Sequence, residues 1–170
     1  ERLGGIEVDQ EVAAAFRRAL GTLEALGARV EPVDPDLGAA RDVFARHWFP
    51  AAARVLAGLP PERVAEVDPG LRAMADEGAA MRAAEIMDAQ RERGALATTL
   101  HLLLGEFDLL ATPAVAIPAF AAGVEVPDPA RQRRWIDWAG FSYPFNLSQQ
   151  PAISVPCGFT AAGLPVGLQL

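Results

Sequence analysis

Lysine is absent from this chain: all fifteen basic residues are arginine. Ala-, Arg-, Gly- and Pro-rich usage points to a GC-rich coding sequence, but the consequence is chemical. No mechanism that needs a lysine amine can be completed within these residues. The one cysteine, Cys157, excludes an intrachain disulfide and fits a reducing cytoplasm. It lies between Pro156 and Gly158 with no helix-borne histidine to make it a thiolate, so it reads as a small buried residue at a strand end. The two histidines, His47 and His101, are far apart and lack a Cys or carboxylate at metal-ligand spacing. No metal is expected. The nucleophile elbow Gly-x-Ser-x-Gly, the P-loop and the dinucleotide fingerprint are all missing, and no cofactor is expected. Apolar runs fall short of the roughly 18 residues that a membrane span needs, and no charged-then-apolar leader opens the sequence. A net charge of −7 argues against a nucleic-acid surface, because phosphate binding needs clustered cations. The densest basic patch is Arg131, Arg133 and Arg134, with Asp128 just ahead of it.

What is present is globular composition. The chain has 170 residues, 51% hydrophobic and 22% charged, enough for one domain with a real core. Residues 9–27 predict an amphipathic helix with Asp9 as N-cap, Gly27 as stop, and Val12, Phe16, Leu20, Leu23 and Leu26 on one face. Ala28–Val33 then reads as a strand ended by Pro35. The strand that should precede the helix is missing, since only residues 1–8 lie there. Residues 36–78 predict short helices broken by Pro50, Pro60–Pro61 and Pro69–Gly70. The longest helix is expected over 78–106, with a stripe of Ile86, Ala89, Leu96, Leu100, Leu103 and Phe107. Arg93 falls on that stripe. An arginine on an inward face must be paired, either in a structural contact, by snorkelling past the helix edge, or in a functional pocket. Asp108–Ala111 reads as a strand, 113–130 as an irregular loop, and 131–148 as helical but interrupted at Pro144. Ala152–Val155 reads as a strand between Pro151 and Pro156, and Gly163–Leu164–Pro165 turns the chain into a last strand, Val166–Leu170. A start on Glu1 and an end on Gly-Leu-Gln-Leu suggest trimming on both sides.

One ordered set of motifs carries more than any single element. Arg93 is followed by Phe107-Asp108-Leu109-Leu110-Ala111-Thr112-Pro113, then Tyr143-Pro144-Phe145-Asn146-Leu147. Pro151-Ala152-Ile153-Ser154-Val155-Pro156-Cys157-Gly158 comes next, and Gly163-Leu164-Pro165-Val166-Gly167-Leu168-Gln169 closes the series. Together these resemble the C-terminal half of the amidase-signature family, and residues 89–113 and 141–170 carry most of the likeness. The resemblance implies an α/β fold, a mixed β-sheet covered by helices, of which residues 1–170 are a single segment. It implies an amide hydrolase that works through a Ser, cis-Ser and Lys triad. Nothing here matches the family's Gly/Ser-rich stretch, so no catalytic residue is expected in this chain. The triad would belong to a missing N-terminal part.

The resemblance also assigns a role to what remains. The position matched by Arg93 and the stretch matched by Phe141–Pro151 face substrate in the family, which makes Arg93, Phe141, Ser142, Asn146 and Gln150 candidate substrate-binding residues. An arginine forks well onto a carboxylate. Asn146 has a competing reading as a hydrogen-bonder to nearby loops. Transamidating members usually carry an aspartate where this chain has Ala139, although Asp137 is close. Ser148-Gln149-Gln150 also replaces a more usual Gly-containing turn. Both departures favour a plain amidase acting on a small-molecule amide. The alternatives are the A subunit of a glutamyl-tRNA(Gln)/aspartyl-tRNA(Asn) amidotransferase, with partner subunits, and a non-catalytic relative acting as a binding module. Uncovered sheet edges and apolar faces would also favour homo-oligomers.

Overall fold

Asp9 opens the first helix as its position predicts. Its Oδ1 accepts the backbone N–H of Glu11 at 2.8 Å and of Val12 at 3.3 Å, two donors that a helix start otherwise leaves unpaired. In the computed structural model, which describes residues 2–3, 6–37 and 39–170, this helix α1 runs Gln10–Ala25. Gly27 stops it. Its φ of 98° lets its own N–H reach Glu24 O at 2.9 Å and the Ala28 N–H reach Leu23 O at 3.0 Å, the paired bonds of a Schellman turn. Ahead of α1, Arg2–Leu3 (β1) pairs antiparallel with Ile6–Glu7 (β2), while Glu1, Gly4, Gly5 and Gly38 lie outside the described residues.

The strand expected over Ala28–Val33 does not form; the segment is irregular and largely exposed. Val30 and Val33 supply β-propensity, but a strand exists only when a neighbour takes its backbone groups. No described strand does so.

Pro50 does not break the chain, contrary to expectation: α2 runs Ala40–Leu56 straight through it. The proline withholds one intrahelical bond, and packing on the same stretch offsets the loss. Helix α4 (Pro69–Ala79) crosses α2 there, and Gly78 is what lets it approach. A Cβ on Gly78 would stand 2.1 Å from the Phe49 carbonyl carbon and 2.5 Å from the Pro50 nitrogen. The other prolines do punctuate as expected. Pro61 starts the single turn α3 (Pro61–Val64) and Pro69 starts α4, positions where a missing N–H costs nothing. Helix α5 (Ala83–Leu103) is the longest, as predicted, and buries Ala89, Leu96 and Leu100 of the predicted stripe. The stretch 131–148 resolves into a 3-10 turn at Trp135–Asp137 and a short helix α6 (Tyr143–Ser148), with Pro144 in its first turn.

Three strands make the main sheet: β3 (Thr112–Pro113), β4 (Ser154–Phe159) and β5 (Pro165–Gln169), in the order β3-β5-β4 and all antiparallel. The strand expected at Asp108–Ala111 thus begins later, because only Thr112 and Pro113 come to lie opposite Gln169 and Leu168. Strand β4 also continues past Pro156, where a stop was expected. Ile153 and Leu170 exchange both backbone bonds, at 2.9 and 3.0 Å. By alternation, Val155 then aims its backbone groups at β5, while Ser154 and Pro156 aim theirs at the outer edge. The donor that Pro156 lacks was never part of the ladder. A bulge follows between Pro156 and Gly158.

Two cores result. The helical core gathers Phe44, Phe49, Met74, Leu96, Leu100 and Ile136 with Tyr143 and Leu147. The sheet-side core gathers Val8, Val12, Ala15, Ala116, Phe141 and Val166. Residues 136–147 belong to both and tie them together.

Candidate functional site

The seam between the cores opens into a cleft of about 1070 Å³. Its apolar walls include Val8, Ala116 and Ile117 on the sheet side and Ile136, Trp138 and Pro144 on the other. Its floor is organised by Asp137, at the end of the 3-10 turn. That carboxylate accepts the Arg133 N–H at 2.7 Å, the Arg134 N–H at 3.0 Å and Arg41 Nε at 2.6 Å, and a second Arg41 nitrogen pairs with it as well. Burial alone would raise the Asp137 pKa, but these hydrogen bonds and the Arg41 charge outweigh it, and the net shift is downward. Arg41 is pushed the other way: burial works against its charge, yet its bonds to Asp137 and Asp42 hold it protonated more firmly than usual. Charge at the bottom of the cleft is therefore locked in place.

Beside this pair stands Tyr143, 3% exposed, its ring stacked on Phe44 at 4.8 Å between centroids. Its hydroxyl is buried and makes no hydrogen bond among the described residues. Burial moves the phenol well above its usual pKa, so it is a neutral O–H donor throughout the physiological range. Burial to this degree, with the Ala139 backbone close by, keeps the oxygen out of contact with anything in the open cleft.

The rim is acidic. Glu7, Asp9, Glu11, Asp42, Asp128 and Asp137 border the cleft, against Arg41 and Arg131. Asp9 is occupied in capping α1, and Glu11 accepts the Ala161 N–H at 2.7 Å. Arg131 lies 3.7 Å from both Glu7 and Asp128, exposed pairs that add little stability.

The five candidates from the sequence gather around α6, one layer away. Arg93, on α5, donates from Nε to the Leu147 carbonyl at 2.6 Å, so it braces the last turn of α6. Phe141 is buried in the sheet-side core, and its carbonyl accepts from Gln169 Nε2 at 3.1 Å. The Ser142 hydroxyl donates to Ala139 O at 2.8 Å. Asn146 is exposed and turns its amide back to Ser142 O at 2.9 Å. Gln150 Oε1 accepts from the Ser148 hydroxyl at 3.3 Å, just after Gln149 takes a left-handed φ of 61° that ends the helix. None of the five lines the cleft; Gly140, Tyr143 and Pro144, threaded between them, do.

Arg41 is what sequence reasoning missed, whereas Tyr143 lay inside the Phe141–Pro151 stretch without being singled out. Arg41 meets Asp137 across 96 positions, and no local pattern could announce that. Tyr143 had a signal, being the sole tyrosine of the chain and part of the Tyr-Pro-Phe-Asn motif. Among the described residues no group of three His, Cys, Asp or Glu could hold a metal, and no helix is long and apolar enough to cross a membrane.

Set against known proteins, the chain matches the family model described as Amidase along residues 1–170. It is 32% identical over 174 residues to an acylamidase of Rhodococcus erythropolis, a match covering 99% of this chain and 36% of that protein. It is 34% identical over 192 residues to the A subunit of the glutamyl-tRNA(Gln) amidotransferase of Synechococcus sp. (strain CC9605), covering 96% of this chain and 38% of the relative. A solved structure described as an amidase superposes with a TM-score of 0.82 at 31% identity, over 95% of this chain and 38% of that one. The chain thus spans about 36–38% of the length of these relatives.

Proposed function

The chain belongs to the amidase family, and from that membership we propose that it is one segment of an enzyme that hydrolyses a carboxylic amide to a carboxylate and ammonia or amine. The family match along the whole chain carries this reading. The segment's part is to wall the substrate pocket, with Arg93, Phe141, Ser142, Asn146 and Gln150 forming the side built on α6. Their shared position supports the assignment: Arg93 and Leu147 are bonded, and the other four lie on α6 or within two residues of it.

The reacting groups belong to polypeptide outside these residues. An amidase that uses a Ser, cis-Ser and Lys triad needs a lysine base, and there is none among the 170 residues. Two of the three serines are also poorly placed for attack. Ser142 and Ser148 each donate to a backbone carbonyl within three residues, and among the described residues no general base is bonded to either. The lone cysteine supports a cytoplasmic setting.

The amidotransferase reading rests on the second relative. Ala139, buried at 7% exposure, tells against it, since no charge stands there to hold an ammonium group. Co-purification with partner subunits, with glutamine-dependent transfer, would favour it. The main test compares the 170-residue chain with the full-length protein that carries it, both assayed for ammonia release from simple amides. Turnover by the long form alone is expected. Serine-dependent turnover by the 170 residues alone would overturn the assignment of the triad elsewhere.

A further inference from the structure

Resting on the amidase reading, we propose that the uncovered edge strand β4 seats the polypeptide that carries the reacting groups, beside the wall built on α6. Cross-strand neighbours share a face, and the pairing of β4 with β5 shows where cover stops. Val155 stands directly opposite Leu168, and Ile153 exchanges both backbone bonds with Leu170. Leu168 is 5% exposed, yet Val155 is 38% and Ile153 60%. The apolar row buried on β5 therefore continues onto β4 and runs out into water. Every residue from Pro151 to Pro156 is exposed, so both faces of this stretch lack a cover among the described residues. No described strand pairs with the outer edge, toward which Ala152 and Ser154 turn their backbone groups.

Charge says what kind of occupant fits. Edge strands that stay in water are ordinarily guarded by charged side chains that keep other strands off. This chain is 22% charged, yet no charged residue occurs from Trp138 to Leu170. An unguarded, neutral edge offers nothing to a nucleic acid or a charged peptide. It suits an extended segment with apolar residues at alternate positions. The rest of the same polypeptide is that occupant. The chain covers 36–38% of the length of its relatives, so well over half of such a protein lies outside these residues and needs surface to pack on. Asn146 and Gln149, both exposed, lead into the uncovered stretch, and only Pro151 and Ala152 separate Gln150 from Ile153. A segment seated on Ile153 and Val155 therefore comes up against the wall to which Asn146 and Gln150 belong.

The experiment uses the full-length protein. Hydroxyl-radical footprinting of the wild type reads how well Ile153 is shielded, with the same protein unfolded in urea as reference. Oxidation of Ile153 should be at least about fivefold slower in the native protein, whereas a side chain left mostly in water would be slowed less than about twofold. Ile153→p-benzoylphenylalanine, irradiated and read by mass spectrometry, should link to a peptide of the same chain outside residues 1–170. Ile153→Asp forces a carboxylate into an apolar joint and should cut ammonia release at least about tenfold. Three results would each overturn the proposal: Ile153 as reactive as in urea, links confined to residues 1–170, or full activity in Ile153→Asp. Links to a second copy, with shielding lost on dilution to monomer, would overturn it too by naming another occupant. Shielding and an intramolecular link without ammonia release from any amide leave the joint standing and sink the amidase reading. Ammonia release with Ile153 unshielded sinks the joint alone.

Discussion

The helical half and the sheet half of this molecule finish their cores differently. In the helical half, Met74, Leu100 and Ile136 are wholly buried, and Phe44 stacks on both Trp48 and Tyr143. In the sheet half, α1 buries Val12, Ala13, Ala15 and Phe16 in its first two turns, then carries Leu26 out to 80% exposure. Ile153, just ahead of β4, is 60% exposed, and Phe159 at its end 67%. The helical half is not fully covered either, with Val55 at 63%, Met87 at 73% and Leu102 at 68% exposed, but its centre buries larger side chains. A closed core tells where stability comes from. An open one tells where partners belong.

The sharpest way to break this contrast is at the α2–α4 crossing. Gly78→Ala puts a methyl within 2.1 Å of the Phe49 carbonyl, which is backbone and cannot swing away. Helix α4 would have to retreat, opening the packing around Met74. A loss of about 3 kcal/mol or more is expected, in the range of core cavities and overpacking. Urea denaturation of the 170-residue chain measures it. A change below about 1 kcal/mol would mean that the crossing is looser than described and that the helical half is not the rigid one.

Next in size is Asp137→Asn. The amide side chain cannot pair with Arg41 as a charge, and it leaves that half-exposed guanidinium only its contact to Asp42. About 1–2 kcal/mol should be lost at neutral pH, because solvent screens Arg41 and Asp42 still pairs with it. The sign of the pH dependence follows from the lowered carboxyl pKa. Stability from Asp137 is full above the unfolded value of about 3.9 and fades as pH falls through the lower folded value. Parallel unfolding curves from pH 7 downward should therefore show wild type and variant converging only in acid. Convergence already at neutral pH would remove Asp137 from its organising role.

Sequence legibility follows the same division. Local rules found what local forces build: the Asp9 cap, the Gly27 stop, the long helix α5 and the break within the 131–148 stretch each depend on residues within one or two turns. Failures came wherever a distant segment decides. Pro50 reads as a breaker until Gly78 is seen against it. Pro156 reads as a strand end until the ladder shows that its nitrogen faces outward. Ala28–Val33 reads as a strand because propensity cannot say whether a partner is there. The candidate site divides likewise. The Tyr-Pro-Phe-Asn motif drew attention to the right turn of chain, but the cleft itself depends on Arg41 reaching Asp137 from another helix.

The smallest expected effect on stability is the one that tests the open half. Phe159→Ser and Ile153→Ser remove apolar groups that are already mostly in water, so each should change the stability of the 170-residue chain by less than about 0.5 kcal/mol. Their effect should appear in association instead. Strand β4 sits at the sheet edge, with Ile153 and Val155 on one face of the pleat. Backbone pairing along that edge is interrupted, since Pro156 offers no donor outward and the bulge follows it. What remains to drive self-association is apolar surface, which side-chain substitution can remove. Light scattering should thus show concentration-dependent oligomers for the wild-type chain and fewer for Phe159→Ser. Oligomers that persist unchanged in the variant would locate the association elsewhere, and a strictly monomeric wild type would mean that this face tolerates water without a cover.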